Sequence, residues 1–186
     1  EVEGANKRAF GFHPTGPSTG ELAGGKEITI NSALFDLIGD MHIRFVQDGE
    51  YSMQNLTAEA FESYGSAPVE AVKVAIANIR KAYGIPQSLP WQDGIMLVAA
   101  DSPDLDSSYF LDKTFWDSLL SVHPEGLIVG VPKRGGPLYA PVREKSAVES
   151  LERSIDSLFL TSENMRVSSA LYLYKDGSWS VYRSPL

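Results

Sequence analysis

Three short turn sequences, each lying between two strand-like runs, constrain the fold of this chain more than any other feature. They are Asp48-Gly49, Gly135-Gly136 and Asp176-Gly177. Such pairs favour tight β-hairpins, because their residues tolerate the positive φ that a two-residue hairpin turn requires. A chain with several hairpins builds its sheet by antiparallel pairing. We therefore expect a mostly antiparallel sheet.

Two segments instead repeat apolar residues at the spacing of an amphipathic helix. The first is 67–83, in which the apolar residues on one face are Val69, Val72, Ile76, Ile79 and Tyr83. The second is 146–160, where Ser146 and Glu149 form a capping-box pattern and Glu149 stands four residues before Arg153. Both segments are predicted to be helices that bury one face.

The rest of the chain completes an α+β pattern. Strands are predicted at 26–30, 94–100, 126–132 and 138–142, a short helical turn within 31–40 and a short helix within 113–121. Hairpins outnumber strand–helix–strand crossings, so we expect a mostly antiparallel sheet with helices packed on one side, in a single domain. Residues 1–25 are rich in glycine and proline and are expected to form an irregular N-terminal arm before a domain over 26–186.

The composition excludes several classes of function. The net charge of −8 argues against a general nucleic-acid binder, which needs a positive surface. No run of apolar residues is long enough to predict a membrane span. The chain has no cysteine, which removes disulfides, thiolate metal sites and a cysteine nucleophile. The expected location is the cytoplasm, or the periplasm if a signal segment has been cleaved.

Familiar catalytic and cofactor motifs are matched only in part. The segment 20–26 has the glycine-to-lysine spacing of a phosphate-binding loop, but Glu27 replaces the Ser or Thr that binds magnesium. Ser18 lies in a Gly-x-Ser-x-Gly pattern whose neighbours resemble a loop more than a nucleophile elbow. The histidines His13, His42 and His123 lack the spacing of paired metal ligands. We expect neither a cofactor nor a metal ion.

An acidic loop follows the predicted strand at 94–100. It contains Asp101, Asp104 and Asp106. The twelve-residue calcium-loop pattern fails, because Tyr109 and Phe115 stand where glycine and glutamate are needed. The carboxylates are therefore interpreted as exposed or helix-capping groups, or as a surface that attracts a basic partner.

A basic turn is the other feature that stands out. Lys133 and Arg134 occupy it, and Arg143 and Lys145 follow the next strand, so the four cations are expected to gather at one end of the sheet. One interpretation is a tight hairpin with solvated charges, for which the adjacent glycines are a sufficient reason. The other is an edge that binds an anion or a partner.

Three segments resemble the YtpQ-like bacterial proteins, a family of uncharacterised function. They are AIANIRKAYG at 75–84, GLIVGVPKRGGPLYAP at 126–141 and VSSALYLYKDGSWSVY at 167–182. The resemblance extends from about residue 66 to the end. The chain departs from the family pattern at Gly135, where an acidic residue is expected after the arginine. The resemblance implies an α+β domain of bacterial type and no particular reaction.

These observations favour a non-catalytic bacterial binding or accessory module, including an immunity-type protein that neutralises or assists a partner. The expected partner is another protein, bound through the acidic loop and the basic turn. Nothing in the sequence indicates the oligomeric state. Two alternatives remain: a hydrolase whose site is assembled in the fold from Asp101, His123 and Arg134, and a sensor that binds a small anion through Lys133 and Arg134.

Overall fold

The computed structural model describes residues 18–22, 26–30, 32–49 and 52–186, the first two ranges as backbone only. Apart from 18–22, the predicted N-terminal arm lies outside the described residues. The chain divides into two compact units, Glu1–Ala71 and Val72–Leu186. The boundary falls inside one helix, Pro68–Tyr83, so the two units are described separately.

Small antiparallel hairpins make up the described part of the first unit. The strands are β1 (Ser18–Leu22), β2 (Lys26–Ile30), β3 (Leu34–Ile38), β4 (Met41–Arg44), β5 (Val46–Asp48) and β6 (Met53–Asn55), paired β1–β2, β3–β4 and β5–β6 and followed by helix α1 (Ala58–Ser63). A hairpin is confirmed around Asp48-Gly49, as predicted, because β5 pairs with β6, with Asp48 opposite Met53. Thr57 caps α1 by accepting a hydrogen bond from the Ala60 N–H.

The short helical turn predicted within 31–40 is wrong, because that segment contains strand β3. Phe35 is buried and Asp36 is exposed, which is the two-residue alternation of a strand with one buried face. The ring of Phe35 packs against those of Phe45 and Phe61, with centroids 5.8 and 4.9 Å away. This aromatic cluster is part of the core in the described portion of the unit, and it selects the strand over the helix.

The second unit contains a six-stranded sheet with the strand order β12-β11-β9-β10-β8-β7. Its elements in chain order are α2 (Pro68–Tyr83), β7 (Gln87–Pro90), β8 (Met96–Ala99), a 3-10 helix (Asp106–Leu111), α3 (Lys113–Leu120), β9 (Leu127–Gly130), β10 (Leu138–Pro141), α4 (Lys145–Thr161), a short 3-10 helix (Glu163–Met165), β11 (Leu171–Lys175) and β12 (Ser178–Arg183). Every pair of neighbouring strands is antiparallel. The α+β class with an antiparallel sheet is confirmed.

Helix α4 covers one face of this sheet. Its buried residues Leu151 and Ile155 pack with Ile128 of β9, Ala140 of β10 and Leu171 of β11. The packing is close enough that a Cβ at Gly130 would overlap the Ile155 side chain. The capping box predicted at the start of this helix does not form. The helix begins at Lys145, so Ser146 lies inside the first turn and not at the N-cap position.

Aromatic side chains cover the opposite face. Tyr139 and Tyr174, which alternate along their strands with residues that face α4, contact the ring of Trp116 from α3 at centroid distances of 5.8 and 6.3 Å. The Trp116 indole N–H donates to the carbonyl oxygens of Tyr109 and Phe110, at 2.9 and 3.1 Å. Helix α3 thus packs on this face through Trp116, and the central strands β9 and β10 are buried along their whole length.

The start of α3 is joined to α2 by a charged pair. Asp112 is buried and accepts the Phe115 N–H at 3.2 Å, which makes it the N-cap of α3. The guanidinium of Arg80 donates to both oxygens of the same carboxylate, at 2.6 and 2.9 Å. A bidentate pair of this kind fixes the end of α2 against the start of α3. None of the helices that the structure describes has the length and hydropathy needed to cross a bilayer.

Both edge strands of the sheet are interrupted. Strand β7 ends in Pro90, whose nitrogen has no hydrogen to donate. On the other edge, Val181 pairs with Tyr172 and Arg183 pairs with Leu171, so Tyr182 has no opposite residue in β11. The extra residue is a β-bulge, which bends and twists the end of β12.

Candidate functional site

The acidic loop and the basic turn lie side by side in the structure. A Cβ at Gly136 would overlap the carbonyl oxygen of Val98, at the end of β8. A Cβ at Gly135 would lie 4.0 Å from the carbonyl oxygen of Pro103, within the acidic loop. The sequence alone does not predict this contact, because the two segments are about thirty residues apart. We call the four charged residues at this place, Asp101, Asp104, Lys133 and Arg134, the charged corner.

The four side chains of the charged corner are accessible. Asp101, Asp104 and Arg134 are exposed, and Lys133 is partly buried. Among the residues that the structure describes, none of the four takes part in an ion pair. Two acids and two bases that are not neutralised within the fold are available to pair with a partner.

Asp106, the remaining residue predicted to bind, lies apart from the charged corner because it is buried. One oxygen of its carboxylate accepts the Ala100 N–H at 3.1 Å. Burial raises the pKa of Asp106, hydrogen bonds from the backbone of Ala100 and Ser102 oppose the rise, and the charge of Asp101 adds to it. The carboxylate therefore stabilises the conformation of the acidic loop by accepting hydrogen bonds from its backbone.

The raised pKa of Asp106 predicts a pH dependence of stability. The folded state binds this proton more tightly than the unfolded chain, so ionisation of Asp106 removes stability as the pH rises from about 4 through the raised pKa. Asp106→Asn cannot ionise. Its free energy of unfolding should therefore increase relative to that of wild type between about pH 4 and pH 7. Urea denaturation across this range measures the difference, and a difference that is constant or falls with pH contradicts the assignment.

The expected gathering of four cations is wrong. In the antiparallel hairpin Leu138 pairs with Gly130 and Pro141 pairs with Leu127, so the segment after β10 lies at the opposite end from the basic turn. Arg143 there pairs with Glu125 at 3.1 Å. The chain that follows one hairpin strand always leaves at the end away from the turn.

A different cation, Arg166, lies beside the basic turn. Lys133 and Arg166 form an isolated antiparallel bridge, and the Arg134 N–H donates to the Met165 carbonyl at 3.0 Å. The guanidinium of Arg166 donates to the Leu160 carbonyl at 2.6 Å and lies 5.2 Å from the centroid of the Phe159 ring. No local signal in the sequence indicates this pairing, because it depends on how the chain enters β11.

A hollow of about 270 Å³, lined by both polar and apolar groups, adjoins the charged corner through Asp101. It lies between the end of α2, strand β7 and the end of β8. Its rim carries Ile85, which is 67% exposed, and Leu89, which is 43% exposed. The Asp101 N–H donates to the Tyr83 carbonyl at 3.0 Å, so the backbone of Asp101 is tied to the end of α2 beside the hollow.

The residues considered for a hydrolase are not all brought together. Asp101 lies near the basic turn that contains Arg134, whereas His123 precedes β9 and Arg134 follows it. The histidine and the arginine are therefore at opposite ends of that strand. In the part of the chain that the structure describes, no three His, Asp or Glu side chains are placed to hold a metal ion.

No protein-family model, curated protein or solved structure matches the chain. The resemblance to the YtpQ-like proteins thus remains a prediction based on the three segments quoted above. What the site can do follows from its own geometry. That geometry offers an open hollow with exposed aliphatic side chains on its rim, a carboxylate beside them and a group of charges outside any described ion pair, all within the second unit.

The exposed hollow is the feature of the candidate site that the sequence does not indicate. Strand β7 has the sequence QSLP, which is short, ends in proline and shows no apolar alternation. Ile85 is the kind of residue that sequence reasoning assigns to a core. An apolar residue directly after the glycine that ends a helix usually packs back on the last helical turn, so its position in the sequence gives no signal that Ile85 is exposed.

Proposed function

We propose that the chain is a non-catalytic binding module whose partner is another protein. The observation that carries the proposal is the exposure of Ile85 and Leu89 on the rim of a hollow bounded by Asp101. Protein interfaces combine an apolar centre with a polar rim, and large exposed apolar residues beside polar ones are typical of them. The charged corner supplies the rim.

The charges favour a partner that presents both an apolar side chain and a cation. An apolar group in the hollow would cover Ile85 and Leu89, while a lysine or arginine beside it would meet Asp101 and Asp104. The net charge of −8 would speed the approach of a basic surface. Lys133 and Arg134 would repel a uniformly basic surface at this place and so restrict the choice of partner.

An accessory or immunity-type role, in which the module assists or blocks its partner, is the finer part of the proposal. It is supported by the small size of the chain, its acidic charge and the YtpQ-like segments. The proposed compartment is the cytoplasm, with the periplasm as the alternative. Neither part is needed for the binding test that follows.

The test compares two exposed aliphatic residues. Ile85 is 67% exposed at the hollow, and Val122 is 63% exposed outside it. We expect immobilised wild type to retain a partner from source-cell extract at low salt. Ile85→Ser should weaken that partner's affinity about tenfold, as removal of an anchoring side chain does. Val122→Ser should not change it.

The affinities are measured with the recovered partner by surface plasmon resonance. A partner that binds Ile85→Ser and wild type equally well would place the interface elsewhere. Failure of wild type to retain any protein would contradict the proposal as a whole. Because Ile85 is exposed, the serine variant should keep the thermal midpoint of the wild type.

Binding of a small anion at the basic turn is a second candidate. Two cations directly opposite each other on paired strands destabilise the sheet, and Lys133 and Arg166 are such a pair. An anion placed beside them would remove part of that repulsion and would accept hydrogen bonds from Arg134. The Arg166 guanidinium already donates to the Leu160 carbonyl, whereas neither Lys133 nor Arg134 takes part in an ion pair among the described residues, so these two cations are the ones available to a ligand.

Thermal denaturation with inorganic phosphate tests this candidate. Phosphate at about a hundred times its dissociation constant should add about 2.7 kcal/mol to the stability of wild type. Lys133→Ala should lose this response. Lys145→Ala, which removes a lysine at the other end of the hairpin, should keep it. No response in wild type, or equal responses in the two variants, excludes the site.

A further inference from the structure

A groove of about 350 Å³ lies between α4 and the turn that joins β7 to β8. Indole, carboxamide, carboxylate, guanidinium and hydroxyl groups line it, over an apolar floor. The side chains that matter here are those of Trp91, Gln92, Asp93, Arg153, Ser154 and Leu158. We call it the Trp91 groove. It shares no lining residue with the hollow beside Asp101.

The walls of the Trp91 groove are held rigidly. The Trp91 N–H donates to the Ile95 carbonyl at 3.0 Å, and the Ile95 N–H donates to the Gln92 carbonyl at 2.7 Å, which closes the turn. A Cβ at Gly94 would lie 3.1 Å from the Cβ of Ala147, so the turn packs directly on α4. The Gln92 amide also donates to the Ser154 hydroxyl at 3.3 Å. A groove whose walls are already ordered loses little conformational entropy when a ligand binds.

Trp91 presents an apolar ring at the mouth of the groove. It is 38% exposed, whereas Trp116 in the same unit is fully buried. An exposed indole beside hydrogen-bonding side chains suits a ligand that is apolar on one face and polar at its edge. Leu158 is partly buried against the core and gives the groove an apolar floor.

The charges of the groove cancel. Asp93 contributes one negative charge and Arg153 one positive charge. The helical pair expected between Glu149 and Arg153 is not formed, and among the described residues no carboxylate pairs with Arg153. Its guanidinium donates to the Ser150 hydroxyl at 3.1 Å, which leaves most of its N–H donors for a ligand. A neutral ligand fits such a groove better than an anion.

We infer that the Trp91 groove binds a short neutral saccharide. A sugar ring has an apolar face of C–H groups that can stack on the Trp91 indole. Its hydroxyl groups both donate and accept, which matches the acceptor Asp93, the donor Arg153 and the amide of Gln92. The open shape of a groove allows a saccharide to enter without movement of the backbone. This site is independent of the proposed protein interface.

Calorimetric titration of the full chain tests the inference, with maltose, cellobiose, lactose and diacetylchitobiose as separate probes. We expect saturable binding of at least one. Trp91→Ala and Arg153→Ala should each weaken it about tenfold or more. Tyr182→Ala is the matched control, because it removes an exposed aromatic residue from β12 and should leave affinity unchanged. The replaced side chains are all exposed, so thermal midpoints should stay at the wild-type value.

The outcomes are distinct. No saturable heat with any of the disaccharides overturns the inference, as does wild-type affinity in Trp91→Ala. A parallel titration with inorganic phosphate serves as the anionic arm. If phosphate binds, Arg153→Ala abolishes that binding and the disaccharides do not compete, the groove is an anion site and the inference fails. Loss of the protein partner in Ile85→Ser affects none of these results.

Discussion

Replacing Trp116 with alanine is expected to lower the free energy of unfolding by about 3–5 kcal/mol. The side chain is fully buried between α3 and the sheet, where its ring contacts those of Tyr139, Tyr174 and Trp179. The alanine variant would lose this apolar burial and leave a cavity. It would also leave the carbonyls of residues 109 and 110 without their donor.

Urea denaturation followed by circular dichroism measures the loss. Trp91→Ala is the control, because it removes the same side chain from an exposed position and should change stability by no more than about 0.5 kcal/mol. Trp116→Phe should lie between the two, since it keeps an aromatic ring and loses the N–H. Equal stability of the two alanine variants would show that the aromatic face does not hold the unit together.

Gly136→Ala is expected to be nearly as damaging. The residue has φ of +100°, and its Cβ would overlap the Val98 carbonyl oxygen and lie 3.1 Å from the Leu97 Cδ1. The variant must move the basic turn away from β8 and would break the 2.9 Å hydrogen bond from the Val98 N–H to the Pro137 carbonyl. We expect a loss of about 3 kcal/mol or more, from backbone strain and overlap together.

The neighbouring glycine separates these two costs. Gly135 has φ of +120°, but its Cβ would have only the Pro103 carbonyl oxygen near it, at 4.0 Å. Gly135→Ala should therefore show the strain alone, about 1–2 kcal/mol. The same urea denaturation gives both values. If the two variants lose equal stability, the turn does not pack on β8 as described.

The elements with strong local periodicity could be predicted from the sequence. Helix α2 was predicted at 67–83 and spans Pro68–Tyr83, because its apolar residues recur at helical spacing. The hairpin at Asp176-Gly177 is confirmed, with φ of +51° and +71° at the two turn residues. Local chemistry determines such elements, so neighbouring residues are sufficient to find them.

Other parts depend on contacts between distant residues. Segment 34–38 was predicted to be helical, but the packing of Phe35 with Phe45 and Phe61 favours a strand. Helix α1 was not predicted, because six residues are too few for a periodic signal. Tertiary contacts decide short segments of this kind, since their intrinsic preferences are weak.

Most residues of the candidate site could be named from the sequence, but their arrangement in space could not. The acidic loop and the basic turn were both singled out, yet their contact depends on how β8 and β10 pair in the sheet. The position of Arg166 beside Lys133 depends on another long-range pairing, that of β9 with β11. Sheet order joins residues that are far apart in the chain, and no local pattern encodes it.

The interrupted edge strands have a consequence for solubility. An unbroken outer strand is a template on which further copies can add their own strands and grow into a fibre. Here the edge strand β7 ends at Pro90, which lacks an N–H, and the edge strand β12 has a β-bulge at Tyr182. The six-stranded sheet is therefore poorly suited to seed amyloid, even when the protein is concentrated.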